Sequence, residues 1–177
     1  VGENWKFTDL FDSNIMSCWV EIYQGLDDDA TLFFQGWVDP SQYEEPYDVA
    51  PYYLTIVVVD GLKYLQDIMF AESENSDGTF DYYEDRRTES QIIWDILSKI
   101  GVTQYEEYVN LFAIQMAMGT AYSPFPQTLL ERDRFYDMTC AEVLTEMLRK
   151  LGAVIRQSFG VFQIFRPVEL YRSTVYG

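Results

Sequence analysis

Carboxylates are the one reactive group this sequence supplies in quantity: 29 Asp and Glu against 12 Lys and Arg, with no histidine. The missing histidine removes the commonest general base, the usual metal ligand and the serine or cysteine triads. A pair of carboxylates can still run glycosidase-type chemistry, one as acid and one as base or nucleophile. Glu44, Glu45, Asp81, Glu84 and Asp85 are of the right type. With so many acidic residues, however, close pairs are inevitable, and the pattern selects none of them. No glycine-rich phosphate loop is present. Asn75, Asp77, Asp81 and Glu84 share one Gly-containing loop, but they lack a full calcium-ligand spacing and its distal bidentate Glu. That stretch reads as a solvated acidic loop. Cys18 and Cys140 stand far apart with no Cys-x-x-Cys spacing, which argues against structural zinc. They read as buried free thiols, fitting a reducing compartment, with a pairing between them left open. The expectation is a non-enzyme with no catalytic residue, cofactor or metal.

The formal net charge of −17 is unevenly spread. Residues 1–88 carry 19 acidic and 4 basic side chains, and residues 89–177 carry 10 and 8. Such a surface repels phosphate backbones and anionic lipid, so neither nucleic acid nor a membrane surface is an expected partner. No apolar run approaches the length of a membrane span. A solvated surface is the plain reading of the charge, and a basic partner surface the sharper one. Apolar residues make up 48% of the chain, enough to build a core rather than a disordered tail.

The elements that must position these side chains are legible from pattern. Cys18–Gln24 and Thr31–Val38 read as a hairpin across an Asp-rich turn. Asp39–Pro51 is a polar loop. Tyr52–Val59 is a β-branched run that predicts a strand buried on both faces. Asp60 then caps a helix with apolar positions Leu62, Leu65, Ile68 and Met69. Ala71–Arg87 is an acidic loop. Thr88 and Gln91 form a capping box for a helix bearing Ile92, Ile93, Ile96, Leu97 and Ile100. Val109–Met116 reads as a strand and Gln127–Tyr136 as extended chain. Thr139 and Glu142 form a second capping box, for a helix bearing Val143, Leu144, Met147, Leu148 and Leu151 and closed by Gly152. Ala153–Ser158 and Val161–Arg166 flank a Phe159-Gly160 turn. The fold class is α+β. It comprises an antiparallel, β-rich, acidic part with a strand–helix unit (1–75), an acidic loop (76–87), and an α+β part ending in a helix and β-hairpin (88–177).

Aromatic residues are the remaining candidates for recognition. Trp5, Trp19, Trp37 and Trp94, with the Tyr-rich loop 43–53, have the composition of a carbohydrate platform. Core packing or a protein interface is the commoner use of such residues. The alternative function is therefore a carbohydrate- or host-surface-binding module.

Three segments line up in order: LFFQGWVDP, then PYYLTIVVVDGLKYLQDI, then TCAEVLTEMLRKLGAVIRQSFGVFQIFRP. The last carries Gly152, Ala153, Ile155, Gln157, Ile164 and Arg166 in the order Gly-Ala-x-Ile-x-Gln, turn, Ile-x-Arg. Over residues 16–70 and 88–170 the series resembles the N-terminal half of bacteriophage tail hub proteins, also called tail-associated or baseplate hub proteins, of the type carried by phages and prophages of Bacteroidetes. The resemblance implies a structural virion component of a tail tip or baseplate, assembled in the bacterial cytoplasm. Its partners would be copies of itself, in a trimeric ring at the end of the tail tube, and other tail proteins. Trp37, Tyr43, Tyr47, Phe80, Tyr82, Tyr83, Phe159 and Phe162 are the expected interface aromatics.

Overall fold

A computed structural model describes residues 16–26, 29–42, 53–70, 86–109 and 124–169. The chain divides into two compact units, residues 1–63 and 64–177. Helices and mainly antiparallel sheets together make the architecture α+β, as the pattern predicts.

In the first unit, β1 (Trp19–Gln24) and β2 (Thr31–Val38) form the antiparallel hairpin. Pairing runs from Trp19↔Trp37 to Ile22↔Phe34, then slips to Tyr23↔Leu32. Phe33 is thus one residue too many for the ladder, a β-bulge that re-aims its side chain and adds local twist. β3 (Val58–Val59) lies on the other side of β2, opposite Trp37 and Val38. The expected eight-residue strand buried on both faces is not formed. Tyr53 is 97% exposed and Ile56 40%; among the described residues the run joins the sheet as strand at Val58–Val59, on its edge. Gly36 sits where β2 and the chain at Val59 come closest: a Cβ there would meet the Val59 carbonyl oxygen at 2.2 Å. Beyond β2, the Asp39 carboxylate accepts from the backbone and hydroxyl of Ser41 and opens a 3-10 turn over Pro40–Gln42.

Asp60 does cap the next element, its Oδ1 accepting from the Leu62 amide at 3.1 Å. That element is a 3-10 turn over Leu62–Gln66, not an α-helix. Leu65 is buried, Leu62 and Ile68 are half-buried and Met69 is exposed. The reason lies far along the chain: the Phe70 amide donates to the Met138 carbonyl and the Cys140 amide to the Ile68 carbonyl, drawing residues 68–70 into extended chain.

The second unit holds nearly all the buried apolar side chains among the described residues. β4 (Arg86–Thr88) pairs antiparallel with β6 (Leu129–Glu131). Thr88 then caps α1 (Glu89–Ser98) through the reciprocal bonds expected with Gln91. Ile92, Ile93, Ile96 and Leu97 are buried along one face, and Ile100 continues into the core beyond the helix end. β5 (Tyr105–Tyr108) is a strand the pattern does not predict, and of the strand expected over Val109–Met116 only Val109 is described, buried just after β5. Its Tyr-Glu-Glu-Tyr composition conceals a two-residue alternation, Tyr105 and Glu107 half-buried, Glu106 and Tyr108 exposed. Residues 110–116 lie outside the described residues. Of the extended stretch expected over Gln127–Tyr136, β6 is strand, and Arg132–Phe135 turns as a 3-10 helix.

α2 (Cys140–Leu151) begins at the Thr139–Glu142 capping box and ends at Gly152, whose φ of +61° supplies the left-handed cap. Cys140, Val143, Leu144, Met147 and Leu148 form its buried face. β7 (Val154–Ser158) and β8 (Val161–Phe165) make the predicted hairpin. Both turn residues, Phe159 and Gly160, have positive φ (+49° and +71°), the geometry whose twist suits a two-residue loop. β5 joins this hairpin from the far side of β8, in parallel, giving the order β5-β8-β7.

Candidate functional site

One group of paired polar side chains lies in the second unit, between the start of α1 and the last turns of α2. Glu89 is the first residue of α1, fixed there by the capping box and by its own amide, which donates to the Thr128 carbonyl at 3.0 Å. Its side chain is 2% exposed, and Lys150 Nζ reaches it at 2.9 Å from the exposed side. One turn earlier on α2, Glu146 pairs with Arg134. These four groups, with Leu130, Phe135 and Met147, line a cleft of about 200 Å³. A wider, open depression of about 900 Å³ runs over the polar face of α2 between Gln66, Thr139, Glu142 and Arg149. The charges of the cleft are mutually paired. The Lys150–Glu89 pair compensates the buried Glu89 carboxylate, while the exposed Arg134–Glu146 pair contributes little to stability.

A second group joins α1 to β5. Ser90 Oγ donates to Glu107 Oε1 at 2.6 Å. The Tyr105 hydroxyl lies 2.8 Å from the same oxygen and 2.9 Å from the Ser90 carbonyl. A serine in contact with a carboxylate has the spacing of a nucleophile and its base. Here the carboxylate oxygen is shared with a tyrosine, and the Trp94 ring is stacked on that tyrosine at 6.3 Å. Burial pushes the Tyr105 phenol well above its ordinary range, and the charge of Glu107 adds to the shift, so the phenol stays protonated and acts as a donor. The group is a staple between helix and strand.

In the first unit, the Asp39 side chain is 4% exposed and Lys63 Nζ lies 2.6 Å from it. The Lys63 bond, then the Ser41 hydroxyl, hold its carboxyl below the usual carboxylate range. This pair ties the end of β2 to the turn after β3. On β1, Glu21 accepts from Trp19 Nε1 at 3.2 Å and from the Tyr23 hydroxyl at 2.7 Å, two residues to either side on the same face of the strand.

The expected interface aromatics separate in the structure. Trp37 is half-buried, its ring edge-on to Trp19 at 4.9 Å. Phe159 is 68% exposed at the β7–β8 tip. Phe162 is fully buried and belongs to the core. That is a correction: it shares the inward face of β8 with Ile164, whereas Phe159 stands on the turn. Tyr43, Tyr47, Phe80, Tyr82 and Tyr83 lie outside the described residues, as do Glu44, Glu45, Asp81, Glu84, Asp85 and the acidic loop. Neither cysteine is in a disulfide; Cys140 is buried, and Cys18 is half-buried rather than buried. Among the described residues no group of His, Cys, Asp or Glu side chains is placed to hold a metal ion, and no helix is long and apolar enough to cross a membrane.

Compared with protein-family models, curated proteins and solved structures, the chain matches none. The polar clusters of the second unit leave little trace in the sequence. Glu89–Lys150 and Ser90–Glu107 join residues distant along the chain, and residue type alone marks neither pair. The one local signal is that Glu89 and Ser90 come directly after a capping-box threonine, which fixes them at a helix start.

Proposed function

We propose that this protein is a structural, non-enzymatic component of a phage or prophage tail, at the hub or baseplate that ends the tail tube, where copies of it form a ring. The observation that carries this reading is the α2–β7–β8 unit. Its helix is capped at both ends, its apolar face is buried, and its hairpin is clamped between the helix and a third strand. At the tip a phenylalanine stands exposed in a backbone region that disfavours its side chain. A rigid wedge with an aromatic tip suits a repeated subunit contact, where large aromatic anchors contribute most. Closed rings are built from such heterologous contacts. The polar clusters act as staples between elements, which fits a part whose task is to keep its shape.

Two measurements test the reading. Sequencing the DNA on both sides of the gene should show a long coiled-coil tape-measure gene and other tail genes. Light scattering and negative-stain microscopy of the purified chain should show a small ring. A strict monomer, from a gene set among polysaccharide transporters and glycosidases, refutes it. One observation favours the alternative of a carbohydrate- or host-surface-binding module: the nearly complete exposure of Tyr53 in the first unit. Saturable binding to soluble glycans, lost in Tyr53→Ala, would establish that alternative.

A further inference from the structure

The β1–β2 hairpin outruns the third strand of its sheet. β3 covers only Trp37 and Val38, so among the described residues the hairpin is two-stranded from Thr31 to Gln35 and β1 is the edge of the sheet. This end carries four large apolar side chains in the open: Ile22 (44% exposed), Tyr23 (55%), Leu26 (85%) and Phe33 (51%). Phe33 is the bulge residue, so the ladder itself turns it away from regular pairing. An edge strand with apolar neighbours is a template for pairing with another chain, and exposed edges are commonly guarded by lysine. This one has no lysine.

Charge decides what fits there. Between Lys6 and Lys63 the chain has eleven Asp and Glu and not one Lys or Arg. The first unit as a whole carries twelve acidic and two basic side chains, a formal −10. One of the two, Lys63, is committed to Asp39. A second copy of this unit would bring a formal −10 against −10, and the same charge disfavours a nucleic acid. Among the described residues the hairpin carries two exposed carboxylates, Glu21 on β1 and Asp29 at the turn, and such a surface is complementary to apolar residues interspersed with lysine and arginine.

We propose that the β1–β2 hairpin is the docking element for a basic protein segment that binds in extended form along β1, its apolar side chains on the face of Ile22 and its cations on the opposite face beside Glu21, with Leu26 and Phe33 adding apolar surface at the open end of the hairpin. This is strand addition, in which the backbone gives affinity and alternate side chains give specificity. The inference rests on the first unit alone and is independent of the tail assignment, which rests on the second.

The test uses the full chain and two synthetic eight-residue peptides, one alternating lysine and valine, the other glutamate and valine. The lysine peptide should bind, weaken as salt is raised, and protect the β1 amides from hydrogen exchange. The glutamate peptide should not bind. The double variant Leu26→Ser, Phe33→Ser, and separately Glu21→Lys, should each weaken the lysine peptide at least ten-fold in Kd while circular dichroism shows the fold retained. Sedimentation of the chain alone should be the same with and without these substitutions. Three results overturn the proposal: no binding of the lysine peptide, binding indifferent to the hairpin variants, or self-association that those variants abolish, which would make a second copy the occupant.

Discussion

Replacing Gly36 by alanine should damage the first unit severely, and the structure sets the size of the effect. The added Cβ would lie 2.2 Å from the Val59 carbonyl oxygen and 2.9 Å from its carbon. Both are backbone atoms, so no side chain can swing aside. The contact is about 1 Å too short, so β2 and β3 must separate. What they would lose is the pairing of Trp37 with Val59 and Val38 with Val58, and the bond from the Asp39 amide to the Val57 carbonyl. At about 1 kcal/mol for each hydrogen bond, the loss is roughly 2–3 kcal/mol. Overpacking of a well-filled site costs a similar amount, about 1–3 kcal/mol. A unit of this size has only a few kcal/mol in hand, at about 0.1 kcal/mol per residue. Gly152→Ala is the control. There φ is +61° and a Cβ meets nothing within 4 Å, so left-handed strain alone remains, about 1 kcal/mol. Urea unfolding monitored by near-ultraviolet circular dichroism reports on the first unit through the edge-on Trp19–Trp37 pair. The reasoning is refuted if Gly36→Ala costs no more than Gly152→Ala.

Three further perturbations probe the staples and the exposed tip. Asp39 has its folded pKa lowered by Lys63 and Ser41, so its contribution is complete above the unfolded value of about 3.9 and is lost as pH falls through the lower folded value. The difference in urea midpoint between wild type and Asp39→Asn should therefore be flat from neutral pH to about pH 5 and shrink below about pH 4. Lys150→Met strands the buried Glu89 carboxylate and should cost about 1–3 kcal/mol, and adding Glu89→Gln should restore part of it in a double-mutant cycle read by thermal melting. At Phe159, φ +49°, asparagine should give a chain about 1 kcal/mol more stable than alanine, because asparagine tolerates the left-handed region and alanine does not. Both variants should weaken the proposed ring alike, since both remove the exposed phenyl group.

What the sequence discloses here is what short stretches decide for themselves. Both capping boxes, the β1–β2 hairpin and the β7–β8 turn depend on residues within a few positions of one another, and each forms where the pattern puts it. The departures fall where a partner distant in sequence takes over. Tyr52–Val59 has the composition of a central strand, but of its described residues Val58 and Val59 form strand, at a sheet edge. Residues 62–69 have helical spacing, but hydrogen bonds to Met138 and Cys140 pull their end straight. β5 hides two tyrosines and two glutamates that look like loop until β8 pairs with them. Phe162 departs for another reason: aromatic type alone suggests a surface anchor, while its position three residues past the exposed turn residue sets it on the inward face. The candidate site is illegible for the first reason, since Glu89, Ser90, Tyr105, Glu107 and Lys150 come together only in the finished fold.

The parallel pairing of β5 with β8 also orders events in time. Tyr105 leaves the ribosome well before Phe162, its neighbour in the sheet. α2, β7 and β8 are contiguous and can assemble as they emerge, within microseconds for a helix or hairpin. β5 must wait for them, because a parallel strand has no local turn to bring it home and closes a long loop when it docks. Until Phe165 is free, the chain carries an open strand whose apolar sheet neighbours do not yet exist. Whatever shields the nascent chain during that interval sets how much of it arrives folded.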